Sequence, residues 1–249
     1  MPYNYGSVDK KNLAWFDADF TRCTLKSIQL IEGNIRGLKP FSISFCYPIS
    51  VISGANGSGK STLLALAASA FHNSSKGFIP PLRKQSYYTL KDFFVQALGE
   101  VSPDGIKIRY GILHNNWRGA ADGLNYQDRT KRKGGKWNDY QNRATRNVIY
   151  FGVQRVVPYF ERSAHKTYRS RFKPSELALE TRERIGKLAG KITGKDYGQF
   201  DSLVYSRYSL PDVSSNGVRY SGFNMGAGES AIFEIFTALF KSGPGTCNS

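Results

Sequence analysis

The sequence predicts an α/β fold, and three features carry that expectation. Residues 24–31 and 41–45 alternate polar and apolar side chains, the period of half-buried strands. Residues 54–61 read Gly-Ala-Asn-Gly-Ser-Gly-Lys-Ser, a glycine loop with the spacing G-x-x-x-x-G-K-[ST]. An apolar run at 47–53 precedes that loop and good helix formers at 62–70 follow it, so it joins a strand to a helix.

Taken in order, 24–31 and 41–45 flank a turn at 34–38 and should form a small antiparallel sheet. Residues 47–53 read as a buried strand feeding the loop, and a first helix should run from 60 to about 71. Residues 90–98 fit a short helix or a strand. Residues 106–113 alternate clearly and predict a strand with one wet face. The span 115–146 is rich in Gly, Asn, Asp, Arg and Lys and reads as a basic, mobile surface excursion, a hairpin tip. Residues 147–153 predict a more apolar strand. From 175 to about 190 a helix is expected, with Ser175 as its N-cap, Glu176 early in its first turn, and Leu177, Leu179, Ile185 and Leu188 on its apolar face. It would anchor a helical insertion over 174–206. Residues 200–208 carry no clear period. Residues 229–241 predict a second strong helix, ended by Gly243-Pro244-Gly245. No internal repeat is present, and no heptad pattern is long enough for a coiled coil.

Composition narrows the class. With 249 residues, 40% hydrophobic, the chain can bury a core. No run of eighteen apolar residues predicts a membrane span, and residues 1–19 lack the apolar stretch of a secretory signal. Three distant cysteines, Cys23, Cys46 and Cys247, fit neither a metal cluster nor a disulfide framework, which points to the cytoplasm. The net charge of +16 suggests a polyanionic partner, nucleic acid above all. A solvated basic surface or an acidic protein partner would account for the same charge.

The loop at 54–61 fixes a ligand class. Its glycines let backbone N–H groups turn inward around phosphate oxygens, and the helix N-terminus behind it favours an anion. Gly54, Ala55, Asn56, Gly57, Ser58, Gly59, Lys60, Ser61 and Thr62 are the expected ATP ligands. Lys60 would reach the β- and γ-phosphates, and the Ser61 hydroxyl would sit on Mg²⁺. A second glycine-flanked turn, Asn224-Met225-Gly226-Ala227-Gly228-Glu229-Ser230, opens directly into the last helix. It too has the shape of an anion site.

This turn resembles the signature motif of ABC-type ATPases, with Met225 at the Leu position, Gly226 at the Ser, Ala227 and Gly228 at the Gly pair and Glu229 at the acidic or amide place. Gly226 departs from that pattern and removes a hydroxyl. With Leu25-Lys26-Ser27-Ile28, Ile35-Arg36-Gly37-Leu38 and the loop itself, the chain from about 25 to 242 resembles the ATPase head of the SMC, RecF and OLD group. The absence of a coiled coil favours compact heads of the RecF, OLD or PtuA-like antiphage type. The resemblance implies a P-loop NTPase fold of one head over 1–249. It implies a glutamine after a strand that senses Mg²⁺ and the γ-phosphate, for which Gln154 stands as candidate beside Arg155. It also implies a head-to-head dimer in which ATP–Mg²⁺ on one phosphate loop meets Met225, Gly226, Ala227, Gly228 and Glu229 of the second copy.

Such heads carry an apolar strand ending in Asp-Glu after the signature helix, and no such pattern follows residue 241 here. The head is therefore expected to be incomplete at its C-terminus, and the chain by itself to bind ATP–Mg²⁺ weakly, if at all. Loss of a water-activating glutamate removes roughly 10²–10⁴-fold of rate, so its standing as an ATP hydrolase is left open. The candidate nucleic-acid residues are Arg129, Lys131, Arg132, Lys133 and Lys136, interleaved with Tyr126, Trp137 and Tyr140, and Arg169 and Arg171 with Tyr168 and Phe172. Three function classes follow: a DNA-associated ATPase, as in antiphage defence; a scaffold ATPase clamping a nuclease or other effector; and, least favoured, a transport ATPase.

Overall fold

The alternating strands of the N-terminal half pair edge to edge into one antiparallel sheet. The computed structural model describes residues 4–74, 77–97, 100, 104–117, 119–132, 135–137, 142–152 and 157–242. Its contacts divide the chain into two units, one built on residues up to 78 and 85–150, the other on 79–84 and 151–243.

The first unit opens with α1 (Ser7–Ala18), a helix the sequence did not announce because Phe16 is its one buried residue and no apolar stripe marks it. Lys26 ties it down, its Nζ donating to Asp17 at 2.7 Å and lying 3.9 Å from the Phe16 ring centroid. β1 (Thr24–Glu32) pairs with β2 (Phe41–Ser44), and on its other edge with β3 (Ile106–His114). These three match the expected strands. α2 (Lys60–Ala68) ends three residues short of expectation, capped by Ser69, whose hydroxyl bonds the Ala65 carbonyl at 2.9 Å. Leu63 and Leu66 of α2 enter one core with Ile28, Leu30, Ile108, Tyr110 and Ile112. The Tyr110 hydroxyl donates to the Leu66 carbonyl at 3.1 Å, which satisfies it in the apolar interior. Leu90–Phe93 forms a single helical turn, α3.

The span 115–146 is not a loop throughout. Gly123–Lys131 forms β4, paired along its length with β3, giving the antiparallel order β2-β1-β3-β4. Alternation could not reveal this strand because its polarity is inverted. Gln127 and Arg129 face inward while Leu124 and Tyr126 are exposed. Gln127 is satisfied by the Ala70 carbonyl at 2.8 Å and receives the Arg129 guanidinium at 2.5 Å.

Two expected strands are missing. Residues 45–53 bend at 47–49 and join no ladder among the described residues, and Ile49 and Val51 stand 76% and 90% exposed. Residues 147–152 likewise form no strand, and 153 lies outside the described residues. A buried parallel strand exists only between neighbours, and both named sheets are antiparallel. The parallel pairing among the described residues is one bridge, His72 to Thr145. The residues around it are held firmly: buried Arg143 donates to the carbonyls of Ser69 and Tyr88 at 2.8 and 2.7 Å.

Two histidines give this unit an acid limit. Burial holds His72 below its ordinary pKa of 6.5, with Arg143 adding repulsion, and burial holds His114 below the same value against a small opposing pull from Asp122. The unfolded chain then binds more protons than the folded one as pH falls below about 6.5, so stability declines there. The slope of unfolding free energy between pH 7 and 5.5 should be shallower in a His72→Phe/His114→Asn variant than in the wild type. An unchanged slope would assign the acid loss to carboxylates.

The second unit is a sheet under two helices. After a short helix, α4 (Ser163–Thr167), the edge strand β5 (Lys173–Pro174) pairs with β6 (Tyr197–Tyr205), which pairs with β7 (Tyr208–Ser215) and then β8 (Val218–Ser221). The expected helical insertion at 174–206 is therefore helix over Leu179–Thr193 but strand over Tyr197–Tyr205. Ser175 is no N-cap. Its N–H continues the ladder to the Ser202 carbonyl at 2.7 Å, and the helix, α5 (Leu179–Thr193), begins after Ala178. α6 (Ala227–Ser242) packs with α5 over the sheet, joining Ile185, Ala189, Phe200, Val213, Met225 and Phe233 in one core. The Phe200 and Phe233 rings stack at 4.9 Å.

α5 ends on Gly194 at φ +70°, which reverses the chain into β6 and lays the Lys195 carbonyl over Gly190. A Cβ on Gly190 would stand 2.7 Å from that oxygen. Alanine gains about 1 kcal/mol of helix propensity there, but overpacking against fixed backbone costs typically about 1–3 kcal/mol. Gly190→Ala should lower the melting temperature, and a rise would contradict this packing.

The three cysteines do not behave alike. Cys46 is free and exposed, whereas Cys23 is fully buried with its Sγ 3.2 Å from Asn116 Oδ1, and Cys247 lies outside the described residues. No described helix is long and apolar enough to cross a membrane.

Candidate functional site

The phosphate loop is a tight glycine turn that opens α2. Gly54, Gly57 and Gly59 have φ of +150°, +82° and +94°, values a side chain resists. Ser58 N–H donates to the Ala55 carbonyl at 3.2 Å and Leu63 N–H to Gly59 at 2.9 Å, which closes the turn and starts the helix. Gly59 is constrained twice. A Cβ there would lie 2.5 Å from a Leu38 methyl, so the turn at 34–38 packs directly behind the loop. That turn is itself fixed, with the Asn34 side chain accepting from Gly37 N–H at 2.8 Å. Arg36 within it donates to the Phe93 carbonyl and lies 4.9 Å from the Phe94 ring.

Lys60 folds back over the loop. Its Nζ donates to the carbonyls of Gly54 and Ala55 at 2.8 and 2.7 Å. A cation is thereby held at the mouth of a turn whose residues 54–58 are exposed, next to exposed Ser61, while Thr62 is buried and packs α2. These residues fit a phosphate chain: an anion at the mouth would exchange two contacts of Lys60 to neutral carbonyls for contacts in which both partners are charged. The loop is anchored on the α2 side and, through Leu38, from behind. Residues 45–53 on its other side are held by no ladder among the described residues.

The turn at 225–229 lies in the second unit. Met225 is buried in the core and fixes the start of α6, while Gly226 and Gly228 would place a Cβ in open space. Ser230 N–H closes the first helical bond to Gly226 at 3.0 Å, leaving the N–H groups of 227–229 ahead of the ladder, at the positive end of a long helix. Glu229 is committed to its own unit. It accepts from Tyr197 and Tyr220 hydroxyls, each at 2.7 Å, and from Lys195 at 3.1 Å. Burial works to raise its pKa, but these three donors outweigh it and hold the carboxyl below its ordinary value. Burial and the neighbouring carboxylate push both tyrosines up to about 12. Sequence spacing could not show this anchor, because its donors come from three separate positions.

The basic residues separate sharply. Arg129 is buried in the first unit's core, so it is no nucleic-acid ligand, and Trp137 is buried there too. Lys131 pairs with Asp104 at 2.7 Å. Arg132 and Lys136 are exposed, and Lys133 and Tyr140 lie outside the described residues, as do Gln154 and Arg155. Arg169 and Arg171 are exposed in the second unit. No group of three or more His, Cys, Asp or Glu among the described residues is placed to hold a metal ion.

No curated protein matches the chain significantly. One family model, AAA_23, described as an AAA domain, matches residues 30–196. The match takes in the phosphate loop and its Leu38 buttress but stops before the turn at 225–229. It spans more than half of the chain, which therefore belongs to this family of nucleotide-binding AAA domains of the SMC and RecF-like group.

Proposed function

We propose that the chain is a compact RecF- or OLD-like ATPase head that binds ATP–Mg²⁺ at residues 54–62 and presents residues 225–229 to the nucleotide of a second copy. The placement of Lys60 over a loop of left-handed glycines carries this reading. Lys60 and the loop N–H groups hold the phosphates, and Ser61 orients the metal. Ala227, Gly228 and Glu229 offer backbone N–H groups at the α6 N-terminus, with the Glu229 side chain positioning the turn rather than touching the ligand. Bound ATP supplies a polyanion that bridges the Lys60 loop of one copy and the α6 N-terminus of the other. Gln154 keeps its proposed part as metal and γ-phosphate sensor, and the head is proposed to couple nucleotide state to DNA, as an antiphage defence ATPase would.

Dimerisation by this geometry depends on open space at Gly228. Gly228→Trp should leave the melting temperature within about 0.5 kcal/mol equivalent of wild type, because a surface substitution touching nothing costs little. It should also abolish ATP-induced self-association in sedimentation runs. Self-association that survives Gly228→Trp would remove the turn from the interface.

A further inference from the structure

The structure assigns a second ligand surface, on the second unit: the tip where β5, β6 and β7 meet is a stacking site for single-stranded nucleic acid. This deepens the proposed function and rests on its nucleic-acid reading. The two-residue turn at Ser206 and Arg207 joins β6 to β7 and sets Tyr205 opposite Tyr208. β5 lays Lys173 beside Val204, which brings Phe172 and the segment before it to the same tip. The rings then form a layered group. His165 is buried at its base, 5.7 Å from Phe172 and 5.2 Å from Tyr208. Half-buried Tyr168 lies outside it, 4.9 Å from Tyr205 and 6.1 Å from Tyr208.

Cations surround these rings. The Arg171 guanidinium lies 5.9 Å from the Tyr168 ring and 5.7 Å from Tyr205, and bonds the Tyr205 hydroxyl at 2.9 Å. Arg207 lies 5.4 Å from Tyr208. Arg169, Lys166 and Lys173 are exposed nearby, and none of these five cations makes an ion pair with a described carboxylate. Elsewhere in the unit Arg162, Arg182, Lys195 and Arg219 each have an acidic partner, to Glu234, Asp201, Glu229 and Asp212, and Arg184, Lys187, Lys191 and Lys241 have none among the described residues. What sets the tip apart is that its cations lie among the rings of Tyr168, Phe172, Tyr205 and Tyr208. The aromatic base explains how the tip folds, but five uncompensated like charges repel one another. A polyanion offsets them. Aromatic side chains and arginine planes within one charge patch match unstacked bases on a backbone of phosphates, whereas a duplex keeps its base faces covered.

The test uses the full chain without nucleotide, so its outcome does not depend on the phosphate loop. A labelled oligothymidylate of about 12 nucleotides is titrated by anisotropy at several salt concentrations, beside a duplex of the same length and with polyglutamate as competitor. The single strand should bind more tightly than the duplex. Arg171→Glu/Arg207→Glu should weaken it by on the order of tenfold or more and lower the salt slope by about 1.4. Tyr168→Leu should weaken it by about fivefold or more while Tyr168→Phe retains it, which separates stacking from charge and guards against misfolding. Equal or tighter duplex binding, equal competition by polyglutamate, or an unchanged affinity in the charge-reversal variant would each overturn the assignment.

Discussion

Lys60→Ala should weaken ATP–Mg²⁺ binding by roughly 10- to 150-fold, the equivalent of losing charge-assisted bonds worth about 1.5–3 kcal/mol. The same change should leave the fold intact, because among the described residues Lys60 bonds only the Gly54 and Ala55 carbonyls, which are exposed to water in its absence. Ligand-detected NMR suits the comparison, since the wild-type affinity itself is expected to be weak. A loop held on the α2 side but carried by no ladder on the side of residues 45–53 must be ordered by the ligand, and that ordering is subtracted from the affinity. Wild-type and Lys60→Ala signals of equal size would mean that the phosphates lie elsewhere.

Glu234→Ala should be the most destabilising single change in the second unit. Glu234 projects from the buried face of α6 with a side chain 3% exposed. There it accepts from Arg162 at 2.5 Å, itself 11% exposed, and from the Tyr159 hydroxyl. Arg162 also lies 4.1 Å from the Tyr159 ring centroid and donates to the Val157 carbonyl at 2.9 Å. Removing the carboxylate strands a largely buried guanidinium, a loss of about 3–5 kcal/mol. Removing both charges as Arg162→Met/Glu234→Leu should recover most of it, because the desolvation cost disappears with the pair. Chemical denaturation of the two variants reads this directly. A double variant no more stable than Glu234→Ala would show that the loss is one of packing rather than of unpaired charge.

The residues legible in the sequence were those whose structure is written locally. β1 and the first half of β3 alternate because one face is buried there, whereas β2 alternates between half-buried and exposed and β3 is buried on both faces from Tyr110 to His114, so the expected wet face stops short. α6 shows its apolar stripe, and the phosphate loop shows its glycine spacing because three positive φ angles require it. What the sequence hid depends on partners far along the chain. Residues 47–53 are apolar enough for a strand, but a strand is a pairing, and composition does not supply the neighbour. β4 hides because its inward residues are Gln127 and Arg129, whose burial rests on the Ala70 carbonyl and on each other. The same event takes Arg129 out of the basic patch that its neighbours in sequence suggested. Glu229 reads as a ligand at a helix start until Lys195, Tyr197 and Tyr220 converge on it, and nothing local in the sequence marks Glu234 as the partner of Arg162 and Tyr159. In the second unit, β6 to β8 carry tyrosines, serines and aspartates on both faces, so no simple alternation marked them.

The central claim is that a phosphate chain, held by the loop at 54–61, governs ligand recognition. Calorimetric or ligand-detected titration of the full chain with ATP, AMP and adenosine, each with Mg²⁺, tests it most directly. The loop predicts that ATP binds and that AMP and adenosine bind at least about tenfold more weakly, because the bonds from Lys60 and the loop N–H groups go to the β- and γ-phosphates. Equal binding of all three, or no binding of ATP where adenosine binds, would contradict it.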